Sequence, residues 1–181
     1  MSRQLARDLS PDHVSGRQRQ WSAELPDIDT SGMAILGRAR WITLAVRPAI
    51  EAVFARHGLD SGEFDVLGTL LRSGPPYRLR PTELFRSLMV SSGGMTARLA
   101  KLESARLVSR VSDPDDARSL LVQLTNDGRR RAEAAFREDM QVEAELLAGI
   151  TPAEREVLAK LLAKLAFSLA KDRSEPGSPL T

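Results

Sequence analysis

The sequence predicts a mainly helical α+β fold in which short helices in tandem precede a small β-hairpin. Apolar residues recur at helical spacing through most of the 181-residue chain. The spacing changes to strict alternation only around residues 107–124. The apolar fraction of 42% can support a core, and the length suits one ordinary domain, with or without extra helices for a partner subunit.

The first third of the chain predicts an arm followed by a long helix. Residues 1–30 are polar, and a helix-compatible stretch at 18–25 carries Trp21, so we expect a partly ordered arm. From Met33 to His57, apolar residues recur at intervals of three, four and seven, and Gly58 is placed to end the helix.

Three shorter helices are predicted next. Residues 60–63 combine an N-cap Asp with a Glu three positions later, which predicts a helix that ends before Gly74. A second helix opens at Pro81, a residue tolerated in a first turn. Ser91 is expected to cap a third helix that reaches about Ala105.

The alternating segment predicts a β-hairpin with a charged tip. Its strand candidates are 107–111 and 119–124, separated by the turn-rich residues 112–118. One helix follows to about Leu147, and a capping box at 151–154 opens another. The last ten residues, rich in Ser and Pro, should be loose.

Two short helices followed by a hairpin form the pattern of a winged helix-turn-helix, whose second helix enters the major groove of DNA. On a helical projection of this second helix, Met95, Leu99 and Leu102 face the core. The opposite arc holds small residues and one cation, which allows close approach to a duplex: Gly93, Ala97, Ala100, Lys101 and Ser104. We expect DNA contacts from Ser91, Ser92, Thr96, Lys101 and, at the hairpin tip, Arg118. An ordinary surface face is the alternative.

Positive charge is concentrated in the segment that this interpretation presents to phosphates. Residues 78–118 carry eight Lys or Arg against five acids, a net of +3, whereas the remaining 18 basic and 19 acidic residues give −1. Such an asymmetry is typical of a chain that binds nucleic acid through one region.

Composition argues against several other classes of protein. Zero Cys and two His exclude disulfides and thiolate zinc sites, and no phosphate loop or nucleophile motif is visible. No cofactor is therefore expected, and a small cytosolic enzyme is only a remote alternative. A calcium loop at the hairpin tip is excluded because Arg118 occupies the position where Gly is needed. No apolar stretch of eighteen residues and no secretory leader is visible, which predicts a cytosolic chain without a membrane partner.

Residues 35–170 resemble the MarR family of bacterial transcription regulators. The resemblance is carried by the segments 90–103, 107–110, 113–118 and 124–128 taken together. It implies a homodimer, formed through N- and C-terminal helices, that grips a pseudo-palindromic operator in double-stranded DNA. The implied organisation is an arm at 1–30, dimerisation helices at 31–58 and 126–171, a winged domain at 59–125 and a flexible tail at 172–181.

A finer resemblance is to the urate-responsive branch of that family, of the HucR, PecS and MftR type. This branch has a Trp in an N-terminal helix, an Asp in the helix before the reading motif, and Arg residues in the recognition helix and first wing strand. Trp21, Asp65, Arg98 and Arg110 fill these positions. The resemblance implies a small anionic effector, urate or a related purine; the alternative within the family is a phenolic carboxylate or antibiotic.

The chemistry of these four residues is coherent with an anionic heterocycle. An indole stacks on a flat ring, and a guanidinium holds its anionic edge. If Asp65 pairs with Arg98 in the free protein, the arriving anion would disturb that pair and shift the helix, so ligand and DNA should compete. Each residue also has a structural alternative: Trp21 as a helix-junction plug, Asp65 as a locally paired surface acid, Arg98 as a phosphate contact and Arg110 as a surface strand residue.

Two residues depart from the family's pattern. Arg106 occupies the end of the recognition helix, where Gly is usual, so a left-handed residue there should cost about 1 kcal/mol unless the cap is remodelled. Ala117 replaces a wing-tip residue that is commonly Arg or Gly, which predicts weaker or displaced wing contacts.

Overall fold

A computed structural model of the chain describes residues 13–88, 94–116 and 119–172, and confirms a mainly helical fold with a small antiparallel sheet. Its helices are α1 His13–Glu24, α2 Arg38–Arg56, α3 Ser61–Arg72, α4 Pro81–Ser87, α5 Met95–Ser104, α6 Asn126–Leu146 and α7 Pro152–Asp172. A π-helical segment, Met33–Gly37, leads into α2. The strands are β1 Arg78–Leu79, β2 Val108–Ser112 and β3 Leu120–Leu124.

The chain divides into two compact units, residues 1–136 and 137–181. The first contains every element from α1 to the first half of α6, and the second contains the rest of α6 and α7. None of the helices within the described ranges combines the length and the apolar character that crossing a membrane requires.

The ends of α2 and α3 follow local sequence signals. Gly58 adopts φ +67° directly after the C-cap of α2, a left-handed conformation that glycine takes without a Cβ penalty. The Asp60 side chain accepts from the Glu63 backbone N–H, and the Glu63 side chain accepts from the Asp60 backbone N–H. This reciprocal capping box confirms the predicted start of α3.

The sheet contains one strand more than the predicted hairpin. Strands β2 and β3 pair antiparallel with Val108 opposite Leu124, close to the predicted ranges. The additional strand β1 pairs with the other edge of β3, so that the order is β1-β3-β2. Two residues give no readable alternation, so the sequence does not reveal β1, which pairs with the edge of β3 that β2 does not occupy.

The core of the first unit lies among α3, α4, α5 and the sheet. Leu67, Leu70, Leu84 and Val122 have no exposed surface, and α3 packs against both α4 and α5. Burying each of these side chains contributes roughly 1.5–3 kcal/mol. This core fixes α5 against α3, which is the arrangement that the site depends on.

Both ends of α5 involve left-handed residues, and its start was predicted wrongly. The helix begins at Met95 with Gly94 as N-cap at φ +75°, a conformation that interrupts a helix, so Ser91 does not cap it. Ser91 itself lies outside the described residues. At the other end, Arg106 has φ +58°, which confirms a non-glycine residue in the left-handed position.

The turn at the tip of the β2–β3 hairpin is fastened to the start of α4 by an ion pair. Arg80, the residue before α4, donates from Nε to Asp113 Oδ2 at 2.7 Å, and Asp113 is only 4% exposed. Asp113 also accepts from the Asp115 backbone N–H. The Arg80 hydrogen bond and charge lower the pKa of the Asp113 carboxyl from its ordinary value. The turn after β2 is therefore anchored at its start rather than merely solvated.

We expect Asp113→Asn to lower stability at neutral pH and to have a much smaller effect in acid. Because the pKa of Asp113 is lower in the folded chain, its contact with Arg80 stabilises the fold fully above the unfolded-state pKa of ~3.9. This stabilisation is lost as the pH falls through the folded-state pKa. Urea unfolding of both chains at pH 7 and pH 3 measures this difference. Asp115→Asn is the matched control, because it keeps the backbone N–H that donates to Asp113. If Asp113→Asn lowered the unfolding free energy equally at both pH values, the stabilising role of the Asp113 carboxylate would be contradicted.

Within the second unit, α7 begins with the predicted capping box. Thr151 and Glu154 exchange backbone-to-side-chain hydrogen bonds, which lowers the pKa of Glu154. The side chains that follow on α7 remain largely exposed: Val157, Leu158, Leu161, Leu162, Phe167 and Leu169 are all at least 43% accessible. Exposed apolar surfaces of this kind are typical of protein interaction sites.

Candidate nucleic-acid interface and effector residues

Helix α5 presents two faces, as its sequence predicts. Met95, Leu99 and Leu102 are at most 3% exposed and pack into the core. The residues Thr96, Ala97, Ala100, Lys101 and Ser104 are exposed. The small exposed side chains leave the helix backbone accessible to a duplex groove. Of the other predicted DNA contacts, Ser91, Ser92 and Arg118 lie outside the described residues, as do Gly93 and Ala117.

Lys101, predicted to contact phosphate, is paired with α3. Its Nζ lies 2.7 Å from Glu63 Oε1 and 4.0 Å from Asp60 Oδ2, while its side chain remains 65% exposed. The hydrogen bond to Glu63 and the Glu63 charge raise the pKa of Lys101. The ammonium that was expected to face DNA is therefore already neutralised by a carboxylate in the free chain.

Arg98 contacts α3 in a way that the sequence did not predict. A Cβ added at Gly62 would lie 2.4 Å from Arg98 Cζ, Nε and Nη2, so the guanidinium rests directly on this glycine. Arg98 Nη1 is buried and has no hydrogen-bond partner within the described part of the chain. The expected pair with Asp65 is thus not made through Nη1. Gly62 precedes Asp65 by one helical turn, and its missing side chain provides the space that the guanidinium occupies.

Arg110 joins the hairpin to the recognition-helix candidate. Its Nε donates to Glu103 Oε1 at 2.5 Å, and both side chains are 34% exposed. Glu103 lies in the last turn of α5 and Arg110 in β2, so the pair spans the left-handed turn at Arg106. An anion that binds the Nε edge of Arg110 must compete with this carboxylate.

Trp21 lines a cavity that is separate from the contacts of Lys101, Arg98 and Arg110. The cavity has a volume of about 410 Å³ and is formed by the end of α1 and the residues that lead to α2: Trp21, Leu25, Ile28, Asp29, Thr30, Gly32 and Met33. Trp21 is 51% exposed. Asp29 accepts two hydrogen bonds from Ser31, which shape the turn beside the cavity.

The structure brings only part of the predicted effector group together. Arg98 lies against α3, the helix that contains Asp65, which is 7% exposed. The cavity of Trp21 includes none of Asp65, Arg98 and Arg110. Sequence reasoning missed Gly62, Glu63 and Glu103 as partners of the basic residues. The capping box indicated Glu63 but not its cation, and no local pattern relates Glu103 to Arg110.

These elements define a class of protein. Helices α3, α4 and α5 followed by the β2–β3 hairpin, with an exposed face on α5, form a winged helix-turn-helix. A model described as the MarR family matches residues 57–119. The transcriptional regulator PecS of Dickeya dadantii is 32% identical over 160 residues, which span 88% of this chain and 96% of PecS. The chain therefore belongs to the MarR family of transcriptional regulators, and its likeness to PecS supports the PecS-type subgroup.

Another relative and two solved structures also support membership of the MarR family. The transcriptional repressor YetL of Bacillus subtilis is 27% identical over 148 residues, covering 81% of this chain and 88% of YetL. A mutant MarR from E. coli, solved in complex with operator DNA, superposes with a TM-score of 0.64 at 26% identity and covers 76% of this chain and 99% of its own. Wild-type MarR from E. coli gives a TM-score of 0.60 at 26% identity, covering 72% of this chain and 96% of its own.

Proposed function

We propose that the protein is a homodimeric repressor that binds a pseudo-palindromic operator and releases it when a small anionic effector, urate or a related purine, binds. The observation that carries the DNA-binding part is the exposed, small-residue face of α5, which lies in the basic segment 78–118 together with the first strand of the adjacent hairpin. The operator complex of the related MarR supports the same use of this fold. Among the described residues, Thr96 is the proposed DNA contact. Ser91, Ser92 and Arg118, which lie outside the described residues, are the other proposed contacts.

The proposed dimer is supported by two apolar surfaces. Ile35, Leu36, Trp41, Ile42 and Leu44, in the segment leading into α2 and its first turns, are at least 44% exposed. In the second unit, the apolar side chains of α7 are exposed to a similar degree. Two copies would place their recognition helices about 34 Å apart, one turn of B-form DNA.

The proposed effector site uses Arg110 as its anion-holding group, with Trp21, Asp65 and Arg98. Support comes from the PecS likeness and from the partly exposed Arg110 guanidinium. A bidentate anion would replace Glu103 as the partner of this guanidinium. Replacing Glu103 by the anion would break the contact that joins the last turn of α5 to β2. Effector binding would thereby alter α5 and weaken binding of the operator.

Thermal-shift and DNA-release titrations test the effector. Urate, xanthine and salicylate are titrated against the native chain and against Trp21→Phe, Asp65→Asn and Arg110→Ala. Urate should stabilise the native chain, release DNA and act weakly on Arg110→Ala. Equal stabilisation of both chains by urate would remove Arg110 from the site, and a response to salicylate alone would identify a phenolic carboxylate as the effector class.

We expect Glu103→Gln to tighten effector binding by about tenfold. The substitution removes the carboxylate that competes for Arg110 and keeps the side chain's size. Isothermal titration with urate measures the change, and Glu133→Gln, which loses a similar exposed Arg partner on α6, is the control. Unchanged urate affinity in Glu103→Gln would show that the anion does not displace Glu103 from Arg110.

A further inference from the structure

The first turn of α3 holds the recognition helix α5 at two points. Lys101 Nζ pairs with Glu63 Oε1 at 2.7 Å, and the Arg98 guanidinium rests on Gly62. Positions 98 and 101 are three residues apart, so both cations leave the same side of α5. Gly62 and Glu63 are neighbours in the chain, so one short segment receives both contacts.

Besides its part in the capping box of α3, the Glu63 carboxylate binds a cation. Its side chain is 2% exposed, although it carries a carboxylate. One oxygen, Oε2, accepts from the Asp60 backbone N–H, and the other, Oε1, faces Lys101. A buried carboxylate needs both hydrogen bonds and a counter-charge. Because Lys101 is 65% exposed, the pairing with Glu63, not burial, determines where its ammonium lies.

We infer that Glu63 is a positioning residue for operator binding, acting through Lys101, and that Gly62 is the seat that admits Arg98. The two contacts fix the orientation of α5 relative to α3. Lys101 then neutralises Glu63 instead of a phosphate. This inference rests on the proposed operator binding, and it changes the role of Lys101 from DNA contact to positioning group.

A double-mutant cycle tests the Glu63–Lys101 contact. The variants are Glu63→Gln, Lys101→Met and the pair, and the probe is a 30-base-pair duplex selected by the native protein from a random pool. We expect each single variant to weaken binding by about tenfold and the pair to bind no worse than either single. Affinities are compared at a temperature where circular dichroism shows every variant to be folded.

The salt dependence of binding separates positioning from phosphate contact. A lost phosphate contact reduces the slope of log affinity against log salt by about one, whereas a lost positioning group leaves the slope unchanged. We expect the slope of Lys101→Met to equal that of the native chain. A slope reduced by about one, or tighter binding by Glu63→Gln because Lys101 is released to DNA, would overturn the inference.

Glycine substitutions test the seat of Arg98 without removing a charge. Gly62→Ala should displace the guanidinium and weaken operator binding several-fold, while thermal stability is kept because alanine favours a helix. Gly68→Ala in the same helix is the control, since its added Cβ would meet only Phe64 at 3.8 Å or more. In an Arg98→Ala background, the effect of Gly62→Ala should vanish. An equal effect in both backgrounds would show that Gly62 does not act through Arg98.

Failure of this inference is distinguishable from failure of the proposed function. If the native chain selects no duplex and shows no salt-dependent binding, operator binding itself is contradicted. If the native chain binds but the Glu63–Lys101 cycle is additive and the salt slope falls with Lys101→Met, only the positioning role is contradicted.

Discussion

Gly128→Ala is expected to cost roughly 3 kcal/mol or more of unfolding free energy. Gly128 lies in the first turn of α6, where it closely approaches the residue that precedes β2. A Cβ at this position would lie 2.0 Å from Leu107 O and 2.9 Å from Leu107 C. These are backbone atoms, so a rotamer change cannot relieve the overlap.

The surrounding hydrogen bonds make this overlap difficult to avoid. Leu107 O accepts from the Thr125 backbone N–H and from Thr125 Oγ1, both at 3.1 Å. Thr125 Oγ1 in turn accepts from the Gly128 backbone N–H at 3.0 Å. Moving either backbone to admit a methyl group breaks part of this network, which joins the hairpin to α6.

Urea unfolding at pH 7 measures the effect of Gly128→Ala, with Gly149→Ala as the matched control. A Cβ at Gly149 would have no atom within 4 Å, so the control should stay within about 0.5 kcal/mol of the native chain. A Gly128→Ala variant as stable as the control would contradict the close approach of α6 to the hairpin.

Leu161→Asp is expected to convert the proposed dimer to monomers. Leu161 is 60% exposed on the single chain and belongs to an apolar seam on α7 with Leu158, Leu162, Leu165 and Leu169. If a second copy covers this seam, a carboxylate there would be buried without a partner. We expect self-association to weaken at least ~100-fold, or about 2.7 kcal/mol.

Sedimentation equilibrium over a range of concentrations measures this change. Ala163→Asp adds the same charge two residues further along, on the opposite face of α7, and should leave the dimer intact. Circular dichroism on both variants establishes that each chain is folded. Equal self-association by the Leu161 and Ala163 variants would show that the apolar seam is not the interface.

Most of the secondary structure could be predicted because its signals are local. Asp60 and Glu63 mark the start of α3 within four residues, and Thr151 and Glu154 do the same for α7. The left-handed conformation of Arg106 was one of two expectations drawn from the family's usual Gly at this position, the other being a remodelled cap. The start of α5 was predicted wrongly because Ser91 is a good N-cap by type, while the backbone at Gly94 decides where the helix begins.

The partners of the basic residues could not be predicted because they depend on packing. Lys101 meets Glu63 across two helices, and their separation of 38 positions leaves no periodic signal. A pair between Arg98 and Asp65 was a hypothesis from their chemistry, and the contact of the guanidinium with Gly62 has no signal in the sequence. A glycine inside a helix can mark a close contact with a neighbouring helix, but the contact can be identified only when the position of that neighbouring helix is known.

Binding of the selected duplex, measured as a function of salt concentration with the stoichiometry at saturation, tests the central claim most directly. We predict two chains per duplex and an affinity that falls steeply as salt rises, because a dimer with two basic winged domains releases counterions from two half-sites. A monomer at working concentrations that shows no affinity for any duplex at low ionic strength would contradict the account.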